Sequence, residues 1–423
     1  MARRSVWNRL FLVASFSLVG MLFFSVAQEL LPEWRSRQAQ YYRRLADVTG
    51  DPSKAGTPIK IRQIHLPDMN RVDRCITCHT GIDNPKMAGQ PQPFAAHPNL
   101  GVPNFLSKHP FDEMGCTVCH QGQGMATTVK HAHGPVPHWE QPLLAKGLTE
   151  GTCTSCHGDV NHLGGAERLR QAKVLFVEKG CIGCHNLHGK GMLVGPELDE
   201  TFGKSPAQFD FRYVKGMEGR HEEGTVMEWV IDHFRDPQRV VPGYPALGIP
   251  ESAMPKYELT EDEIRMLTAL MMSFSSEAGD ENFPIPARLK VPAPQPAPEP
   301  MYASAVERGA AVFKKYGCVG CHGPQGRGGV RNANMDLGEE VPSLTYAAEG
   351  YSKEELKSII RDGRYPARAD RAHLSPPLWM PSWKEKLSEE ELDAVVEYIF
   401  SLSPEKRGPA PAAAAAPASA QTQ

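Results

Sequence analysis

Gly180-Cys181-Ile-Gly183-Cys184-His185 and Gly317-Cys318-Val-Gly320-Cys321-His322 are one pattern written twice, and their surroundings repeat with them. Each has a Phe five residues ahead of its first cysteine (Phe176, Phe313) and a helical segment ahead of that, from Ala166 or from Ala305. Behind each comes a Pro-x-Leu loop, Pro196-Glu-Leu198 or Pro342-Ser-Leu344, and then a helix over Val226 to Phe234 or Lys353 to Arg361. A Met-Pro pair follows, Met254-Pro255 or Met380-Pro381. The last element opens on Thr260-Glu-Asp-Glu263 or Ser388-Glu-Glu-Glu391, capping boxes ahead of apolar periodic runs, which mark the start of an amphipathic helix. Residues 166–277 and 301–404 are therefore an internal repeat.

Three more runs of the same type lie upstream: Cys75-Ile-Thr-Cys78-His79, Cys116-Thr-Val-Cys119-His120 and Cys153-Thr-Ser-Cys156-His157. The five runs use all ten cysteines, so none is left for a disulfide, an iron–sulfur cluster or a thiol nucleophile. Cys-x-x-Cys-His reads as covalent attachment of c-type haem. Two thiols three apart on one helical turn reach the two vinyl groups of a porphyrin, and the next histidine lies under the iron as proximal ligand. The competing reading is zinc, because two Cys-x-x-Cys pairs can form a four-cysteine site. Five pairs is an odd number and a histidine follows every one, which favours five covalently bound haem c groups.

The order of parts in each repeat resembles class I cytochrome c from end to end. That resemblance implies a small all-α bundle around one haem, with His185 and His322 as proximal ligands. It also implies Met254 and Met380 as sixth ligands, since each precedes a proline and stands just before the final capped helix. A thioether ligand raises the potential of the iron.

Residues 60–163 are different. They are dense in Pro, Gly and His and lack a long apolar-periodic helix, so they cannot build an ordinary core. The stretch resembles multihaem cytochromes, in which closely packed porphyrins form the core. Seven histidines are available as sixth ligands there: His65, His97, His109, His131, His133, His138 and His162. Bis-histidine ligation is the expectation. His97 and His109 each precede a proline, which restricts the backbone, and His133 precedes Gly134. These three are the chosen ligands, with His138 and His65 in reserve. His188, His221, His233 and His373 read as surface histidines in polar loops.

The expected fold is mainly α: a loop-rich triple-haem domain, two small class I cytochrome c domains and one amino-terminal transmembrane helix. Leu10 to Ala27 is apolar and uncharged, follows Arg3, Arg4 and Arg9, and is long enough to span a bilayer. Ser25-Val26-Ala27 resembles a signal-peptide cleavage site, the alternative. The run is longer than a signal-peptide core, Leu30-Leu31 extends it, and Trp34, Tyr41 and Tyr42 suit an interfacial belt. Residues 1–50 therefore read as an anchor with a stem helix over 32–48, either solvated or a docking surface. Haem of this type is attached outside the cytoplasm, so the resemblance puts the bulk of the chain on the periplasmic side of the inner membrane. Residues 278–300, proline-rich from Phe283, read as a semi-rigid tether keeping the two repeats apart. Residues 405–423 read as a disordered Ala/Pro tail. The formal net charge of −3 points to no nucleic-acid partner.

As a whole the chain resembles cytochrome subunits of quinol-oxidising respiratory complexes, those built around cytochrome b and a Rieske protein or alternative complex III. The resemblance implies electron transfer without a small-molecule substrate or catalytic residues. A quinol-oxidising membrane complex would be the donor and a redox protein the acceptor. The alternative is a haem enzyme, peroxidase- or nitrite-reductase-like, with one open iron. The supply of sixth ligands and the lack of a Cys-x-x-Cys-Lys variant weigh against it. A free shuttle is a third reading, opposed by the anchor.

Overall fold

Helix α1 runs over Ala2–Leu30, and its Val6–Val26 stretch has a mean hydropathy of 2.0 with no part buried in the protein. At 1.5 Å per residue that stretch is about 31 Å long, the thickness of a bilayer core. Among the described residues it is the one helix long and apolar enough to cross a membrane, and its composition and place suit an anchor or a signal sequence alike. The computed structural model describes residues 2–30, 32–103, 105–134, 136, 139, 141–216, 224–241, 252–278, 281–295, 298, 300–336, 338–372 and 377–404. His138, His221, His373, Leu31 and the 405–423 tail lie outside them. The described chain is mainly helical and divides into two units, Met1–Glu167 with Ser276–Ala293 and Arg168–Ser275 with Pro294–Gln423.

In the first unit, α2 (Glu33–Thr49) starts behind Pro32 and ends at Gly50, whose φ of 66° lets its N–H reach back to the Ala46 and Asp47 carbonyls. The stem is a docked helix. Trp34, Gln38, Tyr41 and Ala46 are buried, and the Gln38 amide donates to the Lys60 and Thr77 carbonyls at 2.6 and 2.9 Å. Thr77 lies inside the first Cys-x-x-Cys-His run, so α2 braces that run directly. A hairpin follows, β1 (Ile64–Leu66) antiparallel to β2 (Arg71–Asp73). From there to residue 163 only short helical turns occur among the described residues, as the missing periodicity predicts.

Part of the expected tether also belongs to this unit. The Arg71 guanidinium lies 4.6 Å over the Phe283 ring, Arg288 pairs with Asp68 at 3.0 Å, and Ile285 and Leu289 pack on the Ile64–Leu66–Met69–Val118 cluster. Val291 N–H donates to the Cys156 carbonyl at 2.6 Å, and its own carbonyl accepts from Gly158 N–H at 2.8 Å. Over this stretch the segment is a strap on the triple-motif unit. Its prolines keep it extended, but its side chains give it a surface to lie on.

The second unit holds both repeats. The first contributes α3 (Glu167–Glu178), α4 (Val226–Arg235) and α5 (Glu261–Ala278); the second contributes α6 (Ala305–Lys315), α7 (Lys353–Asp362) and α8 (Glu389–Ser401). In each, the first and last helices cross through an aromatic pair, Phe176 with Phe274 at 6.0 Å and Phe313 with Tyr398 at 5.4 Å between ring centres. The α6–α8 crossing is close because of Gly309: a Cβ there would lie 1.9 Å from the Ala394 carbonyl. Both expected capping boxes form, and α4 and α7 open on two more, Thr225 with Glu228 and Ser352 with Glu355. The repeats are not held apart. Met192, from the first, is buried in the core of the second among residues including Phe313, Trp383 and Val396. Val194 packs beside that core, and Lys386 Nζ donates to the Gly189 carbonyl at 3.0 Å.

Candidate functional site

All five Cys-x-x-Cys-His runs close the same helical turn. The histidine N–H donates to the first cysteine's carbonyl at 2.9 Å for His79, His120, His157 and His322 and at 3.0 Å for His185. The second cysteine's N–H meets the same carbonyl at 3.1–3.3 Å in each run. The second turn is held further by buried Asp73, whose Oδ2 accepts from the N–H groups of Cys116 and Thr117 at 2.5 and 2.9 Å. Gly115 and Gly124 leave room for that carboxylate, since a Cβ at either would come within 2.4 Å of it.

These turns suit a covalently held porphyrin better than zinc. Burial pushes the Cys119 thiol up to about 11 and those of Cys153, Cys181 and Cys318 to about 12, so without a cofactor these sulfurs rest as neutral thiols. Among the described residues no group of three or more His, Cys, Asp or Glu side chains converges as a metal cage. Burial also drives the imidazoles neutral, the form that ligates a metal. It brings His79 and His322 down to about 4 and lowers His97, His120, His157 and His185.

Three imidazole pairs form in the first unit. Ring centres are 6.0 Å apart for His79 and His133, 6.2 Å for His120 and His97, and 6.0 Å for His157 and His109. Two imidazoles trans about one metal have centres roughly 6.4 Å apart, taking a metal–nitrogen bond of about 2.0 Å. The observed pairs therefore have the spacing that an iron between them requires. His109 is further prepared, because its Nδ1 faces the Phe105 carbonyl at 2.8 Å, which holds the proton there and turns Nε2 outward. His97 is less so: its Nδ1 accepts the Asn99 N–H at 3.2 Å, a bond the ring must give up to ligate through a deprotonated Nε2. Phe105 stacks on His109 at 4.9 Å and lies 6.4 Å from His97, between the second and third pairs. His65 and His162 are exposed, and His131 is tied to Thr128 Oγ1 at 2.7 Å.

In the second unit the Pro-x-Leu loop has a definite task. His185 Nδ1 donates to the Pro196 carbonyl at 2.8 Å, which fixes the ring, and a Cβ at Gly195 would lie 2.6 Å from its Cε1. His322 faces the Pro342 carbonyl without closing a hydrogen bond, so its buried Nδ1 is unpaired. Met380 is half-buried beside the core, and its backbone is paired on both sides with Arg364 at 2.8 and 2.9 Å. Met254 is half-buried, its N–H on Ser252 Oγ at 3.1 Å.

His233 corrects the sequence reading. It is half-buried on α4, stacked on Trp229 at 4.7 Å, with Nδ1 on the Val240 carbonyl at 2.6 Å. Burial, with a smaller contribution from nearby His185 and against the Val240 hydrogen bond, lowers it to about 4. The signal was present: His233 follows Trp229 by four residues and Val230 by three, on the apolar face of a helix. His188 is exposed and pairs with Asp199 at 3.0 Å.

Neighbouring motifs touch. The Cys116 thiol lies beside that of Cys75, and Cys119 neighbours Cys153 and Cys156. In the second unit Cys184 Sγ and Cys321 Sγ lie 3.7 Å apart.

The fold and the attachment turns define a c-type cytochrome. Residues 169–275 and 306–403 match the family Cytochrome c. Cytochrome c6 of Euglena gracilis is 31% identical over 97 residues, which make up 22% of this chain and 87% of that protein. No solved structure matches. The chain belongs to the cytochrome c family, and its chemistry is electron transfer by covalently bound haem c.

Proposed function

We propose that this chain is a membrane-anchored, five-haem electron-transfer subunit of a quinol-oxidising complex. The three imidazole pairs at one-metal spacing carry the reading, because they would supply three centres that the class I repeats do not account for. Each of the five turns would hold one haem through Cys75 and Cys78, Cys116 and Cys119, Cys153 and Cys156, Cys181 and Cys184, or Cys318 and Cys321. His79 with His133, His120 with His97 and His157 with His109 would bind three irons. His185 with Met254 and His322 with Met380 would bind the others.

Bound haem supplies one reversible electron per iron. Nitrogen–nitrogen ligand pairs set lower potentials than nitrogen–sulfur pairs. Electrons would therefore enter at the triple-motif unit, from a membrane partner that oxidises quinol, and leave through the class I repeats to a redox protein. The α1 helix would anchor the chain in the inner membrane with its bulk in the periplasm. With every iron six-coordinate the chain would have no substrate of its own. At the fourth centre a second ligand is in play, because the oriented, neutral His233 neighbours His185.

A redox titration of the purified protein tests the reading. Three steps should fall in a lower group and two in a higher one, and Met380→His should move one higher step down. A single spread of potentials indifferent to Met380→His contradicts it.

A further inference from the structure

The two class I attachment turns meet backbone to backbone. A Cβ at Gly180 would lie 2.1 Å from Gly320 N, and one at Gly320 would lie 2.4 Å from the Gly180 carbonyl oxygen. A Cβ at Gly183 would lie 2.2 Å from the Gly317 carbonyl oxygen, and one at Gly317 would lie 2.2 Å from Gly183 N. Gly180 and Gly317 hold equivalent places in the repeat, as do Gly183 and Gly320. The contact is thus reciprocal, the signature of a local two-fold axis. Cys184 and Cys321 face each other across it at 3.7 Å.

The haem motif itself does not ask for this glycine. In the place of Gly183 and Gly320 the other three runs carry Thr77, Val118 and Ser155, and their turns close in the same way. Backbone conformation does not ask for it either. Gly180 and Gly317 have φ of +73° and +74°, which favours glycine, but Gly183 and Gly320 are not in that region. What excludes a side chain at Gly183 and Gly320 is the opposite turn. The burial of Met192 in the second repeat's core and the Lys386–Gly189 bond flank the contact.

We propose that these glycines dock the two class I repeats through their attachment turns, so that one electron passes directly between their centres. The fourth centre is oxidised as the fifth is reduced, or the reverse, with no proton or further reactant. Cys184 and Cys321 are the second thioether positions of their motifs, so the contact sets the two cofactor edges against each other. The repeats are then one coupled redox pair. This rests on the proposal that both turns carry haem.

The test is Gly183→Ala and Gly320→Ala in the full-length, haem-loaded protein, with exposed Gly203→Ala as control, since nothing lies within 4 Å of a Cβ there. Three quantities are read: covalent haem per chain by denatured mass, magnetic coupling of the two centres by paramagnetic resonance, and the internal transfer rate after flash reduction. The expected result is full haem content, weakened coupling and transfer slowed severalfold, with the control unchanged. Full haem content with unaltered coupling and rate overturns the proposal. Loss of haem from the altered turn alone also overturns it, because the glycine would then serve attachment. Absence of haem from either turn in the unaltered protein refutes the underlying reading instead.

Discussion

The imidazoles of His79 and His133 stand 6.0 Å apart, centre to centre, at a mutual tilt of 40°. His79 belongs to an attachment turn, while His133 ends a short turn of its own, Val129–His133, capped by Thr128. If one iron joins them, His133→Ala leaves that iron five-coordinate. The variant is expected to bind carbon monoxide rapidly at one haem per chain in the reduced state, and the unaltered protein at none. His131→Ala, two residues away, is expected to bind none. Optical titration with carbon monoxide decides, and uptake by the unaltered protein would instead favour an open site.

Glu391 ties the second repeat together. Its carboxylate accepts from Lys315 Nζ at 2.8 Å, Tyr316 Oη at 2.9 Å and Ser388 N–H at 3.1 Å. Burial pulls its pKa up, but Lys315, the Ser388 N–H and the Tyr316 hydroxyl outweigh that, and it rests below the usual 4.5. The unfolded chain then binds this proton more readily than the folded one. Its stabilisation is present above about pH 4.5 and fades as the pH falls through the lowered folded value. Glu391→Gln should cost about 1–2 kcal/mol at neutral pH and flatten that acid limb. Denaturant melts between pH 3 and 7 would show an unchanged limb if the carboxylate is idle.

At the fourth centre Met254 and His233 can be told apart by spectroscopy. A thioether on ferric haem gives a weak far-red absorption band that two imidazoles do not. With Met254 and Met380 both ligating, Met254→Ala halves the band and His233→Ala preserves it. If the band comes from Met380 alone and Met254→Ala leaves it intact, His233 is the ligand.

Much of this architecture is legible in the chain. Thr260 with Glu263 and Ser388 with Glu391 announce their helices, and the five histidine runs announce their turns, because these signals act within a few residues. What escaped depends on distant partners. Gln38 reads as a polar stem residue until Lys60 and Thr77 supply carbonyls to it. Phe283 to Val291 reads as tether because proline content reports stiffness and not the surface beneath. Gly183 and Gly320 read as part of a motif, since a glycine kept clear for a neighbouring backbone looks like any other. His233 reads as a surface histidine because imidazole is polar, although its spacing from Trp229 and Val230 puts it on the apolar face of its helix.

The most direct test of the five-haem account is the intact mass of the denatured protein from a host competent in haem attachment. Ten thioether bonds survive unfolding, so the account predicts the polypeptide plus five haems. A mass carrying only two, assigned by peptide mapping to Cys181–His185 and Cys318–His322, would contradict it and reduce the first unit to something other than a triple-haem domain.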